Sequence, residues 1–169
     1  MEEISPEIRI KGKRIKLLLT DCDGVLTDGG VYYSNKGEEM KRFSIRDGMG
    51  VERLRNLIRV ETGIITGENS DIVLRRAEKL KIREYHPGVK NKLEKVNEII
   101  HHHGLQFDQI AYIGDDCNDL ELMKHIGLSA CPADALTFIL EIADVVVKNK
   151  GGFGAFRDFA ELIINCQQK

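Results

Sequence analysis

The residues best able to do chemistry together are acids: Asp21, Asp23, Asp115, Asp116 and Asp119, joined by Thr66 and Lys92. Most follow directly on short apolar runs that read as strands, and in open α/β sheets the ligand site lies beyond the carboxyl ends of the strands. Carboxylates gathered at one sheet edge repel one another unless a cation neutralises them. A hard divalent ion with oxygen ligands is the simplest remedy, and Mg2+ takes one or two carboxylates together with phosphate oxygens. Asp21, Asp115 and the backbone carbonyl of Asp23 suit it. The same set holds the parts of a phosphoryl transfer: a nucleophile in Asp21, an acid and then a base in Asp23, and Thr66 and Lys92 to hold phosphate oxygens. Lys90 competes with Lys92 for that last task.

The elements that must position these residues alternate along the chain. A nearly continuous apolar run over 14–20 reads as a strand buried on both faces and ends at Asp21. Residues 31–44 read as a β-hairpin turning at Asn35, Lys36 and Gly37. Asp47 is placed to cap a helix with Met49, Val51, Leu54, Leu57 and Ile58 on its apolar face, followed by a strand over 60–65 that ends at Thr66 and Gly67. The spacing then predicts a helix over 70–80, a strand over 84–86, a break at Pro87 and Gly88, a helix over 92–103 and a strand over 110–113 that ends at Gly114, Asp115 and Asp116. A helix over 119–126, a strand over 128–131, a helix over 136–142, a strand over 145–147 and a final helix over 155–165 complete the series. Strands alternating with helices mean an α/β fold with a mainly parallel sheet. No repeat or flexible linker divides residues 1–169, which are read as one domain with a hairpin insertion.

Bulk properties narrow the partners. With 25 Lys plus Arg against 27 Asp plus Glu, the formal net charge of -2 supplies no basic field for nucleic acid. The basic residues Lys11, Lys13, Arg14 and Lys16 precede too short an apolar run for a signal core, and no segment approaches the roughly 20 apolar residues of a membrane span, so a cytoplasmic protein is expected. Cys22, Cys117, Cys131 and Cys166 form no CxxC pair and read as reduced thiols. His101, His102 and His103 are adjacent, about 100° apart on a helix, and read as a solvated helix end rather than a metal site.

The segments DCDGVLTDGG, IITG, the Lys92 region and GDDCND resemble, in order, the four motifs of the haloacid dehalogenase-like phosphatase superfamily. With the hairpin, FSIRDGMG and GGFGAFRDF added, the chain is most similar to the capless branch that acts on 3-deoxy-2-ulosonic acid phosphates. The resemblance implies a Rossmann-like three-layer sandwich without a cap domain. It implies Asp21 as nucleophile and metal ligand, Asp23 as acid, base and carbonyl ligand, Asp115 as the third protein ligand, and Asp119 behind them orienting the ligands. It favours Lys92 over Lys90 as the phosphate lysine. It further implies a homotetramer in which the hairpin, with Tyr32, Tyr33 and Phe43, builds an intersubunit barrel and a neighbour covers each active site.

The substrate implied is a small phosphorylated sugar acid. Ser44, Arg46, Asp47 and Gly48 look like the substrate loop, Gly67 and Glu68 flank Thr66, and Gly151, Gly152 and Gly154 permit a turn that brings Arg157 toward the pocket. Members acting on the eight-carbon 8-phosphate usually carry Arg after the TG motif, where this chain has Glu68; with Arg76 and Lys79, that residue favours a nine-carbon ulosonate 9-phosphate, the eight-carbon compound being the alternative. Two rival readings share parts of the pattern. A response-regulator receiver needs its phosphoacceptor Asp after the third strand, where no candidate follows. A noncatalytic assembly module would not need Asp21, Asp23, Thr66, Lys92 and Asp115 intact.

Overall fold

The computed structural model describes residues 4–168. Six parallel strands form the central sheet: β1 (Leu17–Thr20), β4 (Glu61–Ile65), β5 (Glu84–His86), β6 (Ile110–Ile113), β7 (Leu128–Cys131) and β8 (Val145–Val146), in the order β5-β4-β1-β6-β7-β8. β2 (Thr27–Ser34) and β3 (Gly37–Phe43) pair antiparallel as a separate hairpin.

Alternation along the strands supplies both layers of core. Leu18, Ile64, Ala111 and Ile113 face one side, where they pack against α2 (Ile45–Ile58), α3 (Asp71–Leu80) and α7 (Ala155–Gln168) through Val51, Leu54, Val73, Phe156, Phe159 and Ile163. Leu17, Leu19, Ile110 and Tyr112 face the other, against α4 (Lys92–His103), α5 (Leu120–Met123) and α6 (Thr137–Ile142). This is the expected three-layer α/β sandwich, and each fully buried Leu or Ile in it contributes about 1.5–3 kcal/mol relative to exposure. Among the described residues no helix is long and apolar enough to cross a membrane.

Several expected boundaries shift. A first helix, α1 (Pro6–Arg14), was not foreseen; Ser5 caps it and Pro6 opens it, but it carries no apolar stripe, and Gly12 is its one buried residue. It is held by α7, whose Gln167 donates from Nε2 to the carbonyls of Gly12 and Ile15. The hairpin starts at Thr27 rather than 31, because Asp28, Gly29 and Gly30 continue the strand through a register irregularity with Gly29 at φ 75°. The helix expected over 119–126 shrinks to Leu120–Met123: at its start the Asp119 side chain is bonded into the preceding loop, and at its end the His125 N–H donates to the Leu122 carbonyl in a tighter turn. α2 is capped by Ser44, whose hydroxyl accepts from the Arg46 N–H, and not by Asp47. α7 runs three residues past the expected end at 165, reaching Gln168.

Candidate active site

Register brings the acids together. Thr20 lies opposite Ile64 on one side and Ile113 on the other, so the chain leaves β1, β4 and β6 at one level. Asp21 follows directly; its N–H donates to the Ile113 carbonyl at 3.0 Å, and its Oδ1 accepts the Cys22 N–H at 2.7 Å. Lys92, the first residue of α4, reaches in with its ammonium fully buried. Nζ lies 3.0 Å from Asp21 Oδ2 and donates to Asp119 Oδ1 at 2.6 Å and to the Tyr112 hydroxyl at 3.0 Å. Lys90, its competitor for the phosphate, is exposed, whereas Lys92 lies against the carboxylates.

Asp119 is wholly buried and carries four hydrogen bonds. Oδ1 accepts from Lys92 and from the Tyr112 hydroxyl, and Oδ2 accepts the N–H groups of Asp115 and Asp116 at 2.9 and 3.2 Å. It therefore fixes both the lysine and the loop that presents Asp115. Tyr112, which sequence reasoning read only as strand interior, is the fourth member of this network; its polar tip beneath a lysine was not visible from spacing. Asp116 stands apart: it is exposed, and its Oδ1 accepts the N–H of its own neighbour Cys117.

The carboxylates of Asp21, Asp115 and Asp119 offer oxygens that all lie within 4.8 Å of one another. Burial pushes the Asp21 carboxyl up to about 7; Lys92 opposes that and Asp119 adds to it. Burial, with Asp21 and Asp119 beside it, pushes Asp115 to about 8. Burial works against the charge on Lys92, yet Asp21 and Asp119 outweigh it and hold the ammonium above its ordinary value. Full ionisation would thus set three carboxylates against one ammonium, a surplus of two negative charges. Asp115 Oδ1 is also buried with no hydrogen-bond partner.

Backbone shape keeps this space tight. Gly24 has φ 85°, and a Cβ there would fall 2.0 Å from Asp115 Oδ2. The turn is backed by the glycine loop before α7: a Cβ at Gly151 would fall 1.8 Å from the Gly24 carbonyl oxygen, and the Gly152 N–H donates to Val25 at 2.8 Å. The expected tight turn at Gly151 and Gly152 is therefore present, packed against the segment that carries Asp21 and Asp23.

Asp23 points elsewhere than Asp21. Its two carboxylate oxygens accept from Lys41 Nζ at 2.8 and 2.7 Å, and Oδ1 also accepts the Thr27 hydroxyl at 3.2 Å. Lys41 lies on β3 and was not singled out from sequence, where a hairpin lysine looks like any solvated charge. Thr66 is buried; its N–H donates to His86, its carbonyl accepts from Val89, and its hydroxyl accepts the Glu68 N–H at 3.2 Å.

The expected substrate residues separate into two groups. Arg46, Gly67, Glu68 and Lys79 are exposed and free to meet a ligand. Ser44, Asp47, Gly48, Arg76 and Arg157 are used by the fold. Arg76 donates from Nη2 to the Ser44 carbonyl at 3.0 Å and packs so closely on Gly48 that a Cβ there would fall 2.7 Å from it. Asp47 is buried in α2 and accepts the Arg157 N–H at 2.9 Å, while the Arg157 guanidinium is bonded to Glu161 at 2.7 Å. The helix cap expected of Asp47 is replaced by this tie between α2 and α7, and Arg157 is turned to a neighbour on its own helix.

Outside the site, all four cysteines are free thiols. The histidine run departs from expectation: His102 and His103, though adjacent, both approach Glu84, their ligand atoms lying within 4.8 Å, while His101 stays out. Glu84 is occupied on both oxygens, by His103 at 2.9 Å and His86 at 2.8 Å. A cavity of about 560 Å3 between Lys13, Lys16, Arg59 and Gln109 opens at the amino ends of the strands, away from the carboxylates.

Residues 63–154 match the model of the haloacid dehalogenase-like hydrolases. The 3-deoxy-D-manno-octulosonate 8-phosphate phosphatase KdsC of Salmonella typhimurium is 37% identical over 166 residues, covering 98% of this chain and 88% of that protein. The chain belongs to the haloacid dehalogenase-like hydrolases. It is a phosphoric monoester hydrolase of that family. The structure of the 3-deoxy-D-manno-octulosonate 8-phosphate phosphatase of Moraxella catarrhalis, in complex with magnesium ion, phosphate ion and KDO, superposes with a TM-score of 0.93 at 34% identity, covering 98% of this chain and 94% of that one. The cobalt-bound octulosonate 8-phosphate phosphatase of Haemophilus influenzae gives a TM-score of 0.90 at 36% identity, covering 94% and 92%. Magnesium is the cofactor, and the residues here fit it: the two surplus negative charges match a divalent cation, and the orphaned oxygen of Asp115 is a hard donor awaiting a partner.

Proposed function

We propose that the chain hydrolyses the phosphate monoester of 3-deoxy-D-manno-octulosonate 8-phosphate through an aspartyl phosphate on Asp21. The observation that carries the chemistry is the placement of Lys92 Nζ, 3.0 Å from Asp21 Oδ2 and locked by Asp119, beside carboxylates with charge for a divalent ion. The relatives' named substrate supports the sugar. The eight-carbon compound replaces the nine-carbon expectation, because the relatives with named substrates act on 3-deoxy-D-manno-octulosonate 8-phosphate although this chain carries Glu68.

In this reading Asp21, Asp115 and the Asp23 carbonyl hold Mg2+, which when bound neutralises and orients the phosphoryl group. Asp21 attacks phosphorus as the ester P–O bond breaks, and Asp23 gives its proton to the departing sugar oxygen. Water then attacks the aspartyl phosphate and gives a proton to Asp23 as the bond from phosphorus to Asp21 breaks, and inorganic phosphate leaves with the Asp21 carboxylate restored. Lys92 and Thr66 hold the phosphoryl oxygens, and the exposed Arg46, Gly67, Glu68 and Lys79 are the surface left for the sugar.

A homotetramer belongs to the same proposal. Val31, Tyr32, Tyr33 and Met40 on the hairpin are exposed, Tyr32 and Tyr33 by 62% and 70%, and a two-stranded hairpin with such a face gains stability from covering it. A second copy would also close the open side of the site. Cytoplasmic location fits the free thiols.

The test is phosphate release by the purified protein with magnesium, on the eight-carbon 8-phosphate and a nine-carbon ulosonate 9-phosphate, with and without chelator. A chelator-sensitive preference for the 8-phosphate is expected. Preference for the 9-phosphate would return the substrate to the nine-carbon series, and turnover by Asp21→Asn would end the covalent scheme.

A further inference from the structure

Lys41 is a hairpin residue with its side chain almost fully out of water, at 1% exposure. An ammonium is rarely withdrawn from solvent without a partner that uses it, since unpaired burial costs several kcal/mol. Here Nζ forks onto both oxygens of Asp23, at 2.8 and 2.7 Å, and lies 3.5 Å from Glu38 Oε2. Glu38 in turn accepts the hydroxyl of Ser70, the residue before α3, and the Ser70 carbonyl accepts the Tyr85 hydroxyl at 3.1 Å. The chain of contacts therefore runs from the turn after β1, through two side chains of the hairpin, to the loop after β4 that also carries Thr66.

Among the described residues the rest of the hairpin meets Asp23 only through the neutral Thr27 hydroxyl, and Arg42 ties it to the Gly152 carbonyl rather than to a carboxylate of the site. Its turn and its aromatic face are exposed, and its register is irregular between Thr27 and Val31 and between Tyr32 and Tyr33. Asp23, conversely, has no bond to Lys92, Asp119 or Asp115 that would set its rotamer from the sheet side; its polar side-chain partners among the described residues are Lys41 and Thr27. Whatever aims the Asp23 carboxyl comes from the hairpin.

We propose that Lys41 is a positioning residue for the phosphatase reaction, aiming Asp23 at the leaving oxygen and making the hairpin part of the catalytic machinery. This rests on the reading of Asp23 as the acid that protonates the leaving group. Aim matters at this scale, because a misplacement of about 1 Å in a reacting group can cost on the order of 10²-fold in rate.

The experiment compares leaving groups, because a misaimed acid hurts only the departure that needs a proton. Phenyl phosphate releases a phenol with a pKa of about 10; 2,4-dinitrophenyl phosphate releases a far more acidic phenol that leaves unprotonated. Neither depends on the identity of the sugar. kcat/KM, which stops at formation of the aspartyl phosphate, is measured with magnesium for wild type, Lys41→Met, Lys41→Gln and Asp23→Asn. Lys41→Met should lose on the order of 10- to 100-fold on phenyl phosphate and less than about threefold on the dinitrophenyl ester, with Lys41→Gln, which keeps a donor, in between. Equal losses on both esters, or none on either, in Lys41→Met would overturn the positioning role while selective loss in Asp23→Asn left the acid reading intact. If Asp23→Asn itself shows no leaving-group selectivity, the acid reading fails and the proposal with it. Should Lys41→Met not fold, the same ratio read on Lys41→Gln decides.

Discussion

Replacing Asp115 by Asn tests the electrostatic reasoning at the centre of the site. Asp21, Asp115 and Asp119 face the single ammonium of Lys92, and Asp115 carries the cost most plainly: burial raises its carboxyl to about 8, and its Oδ1 has no partner. Asn keeps the shape and removes one of the two surplus charges. Without a divalent ion the variant should therefore be more stable than the wild type at pH 8, even though it alters a functional residue. With magnesium the order reverses. An ion that binds only the folded state stabilises it by about 2.7 kcal/mol at a hundredfold excess over Kd. At about 2–4 °C per kcal/mol for a chain of this size, that is a rise of about 5–11 °C for the wild type. The variant, with less charge and, in the proposed ligand set, one carboxylate fewer, should show less than about a third of that rise at the same concentration. Thermal unfolding in matched ionic strength, with and without Mg2+, measures both arms. A variant that is less stable without magnesium yet keeps the full shift would refute the idea that uncompensated charge at Asp115 is what the ion relieves.

Two further outcomes follow from the same contacts. Lys92→Met leaves Asp119 and Asp21 buried without their cation and should cost about 3–5 kcal/mol in urea unfolding, together with loss of turnover; a cost below about 1 kcal/mol would mean that Asp119 finds other partners. Asp47, buried between α2 and α7, is raised to about 6, chiefly by burial, so its protonated form favours folding. Relative to Asp47→Asn, wild-type stability should be highest below about pH 4, fall by on the order of 3 kcal/mol at most as pH rises to about 6, and stay level above; a flat difference across that window in paired denaturation curves would remove Asp47 as its source.

The parts of the fold that were legible in sequence are those written in periodicity. Strands over 110–113 and 128–131 fall where short buried runs put them, and the helix over 92–103 falls where helical spacing of Val96, Ile99 and Ile100 puts it; the strand over 84–86, Glu-Tyr-His, was marked by the break at Pro87 and Gly88. α1 was not legible, because its stability comes from Gln167 and α7 and not from an apolar stripe of its own. The short α5 was overcalled mainly at its far end: Leu120, Leu122 and Met123 are helical, but the His125 N–H turns back to the Leu122 carbonyl and the Gly127 N–H donates to Phe107, which takes the chain out of the helix before 126.

Within the site, what could be read was position after a strand, and what could not was the partner of each charge. Asp21, Asp115 and Lys92 converge because register and a helix start bring them together, both of which leave marks in the sequence. Asp47, Arg76 and Arg157 leave the same kind of mark, polar residues near a glycine and a helix start, yet Asp47 accepts the Arg157 N–H, Arg76 donates to the Ser44 carbonyl and Arg157 bonds Glu161, which ties α2 to α3 and α7. Lys41 is the opposite case, unremarkable in sequence and buried against Asp23 in space. A charge on a hairpin tells nothing of its role until the sheet edge it folds over is known. Here that edge carries Asp23, and the local sequence of β3 does not encode which acid will meet it.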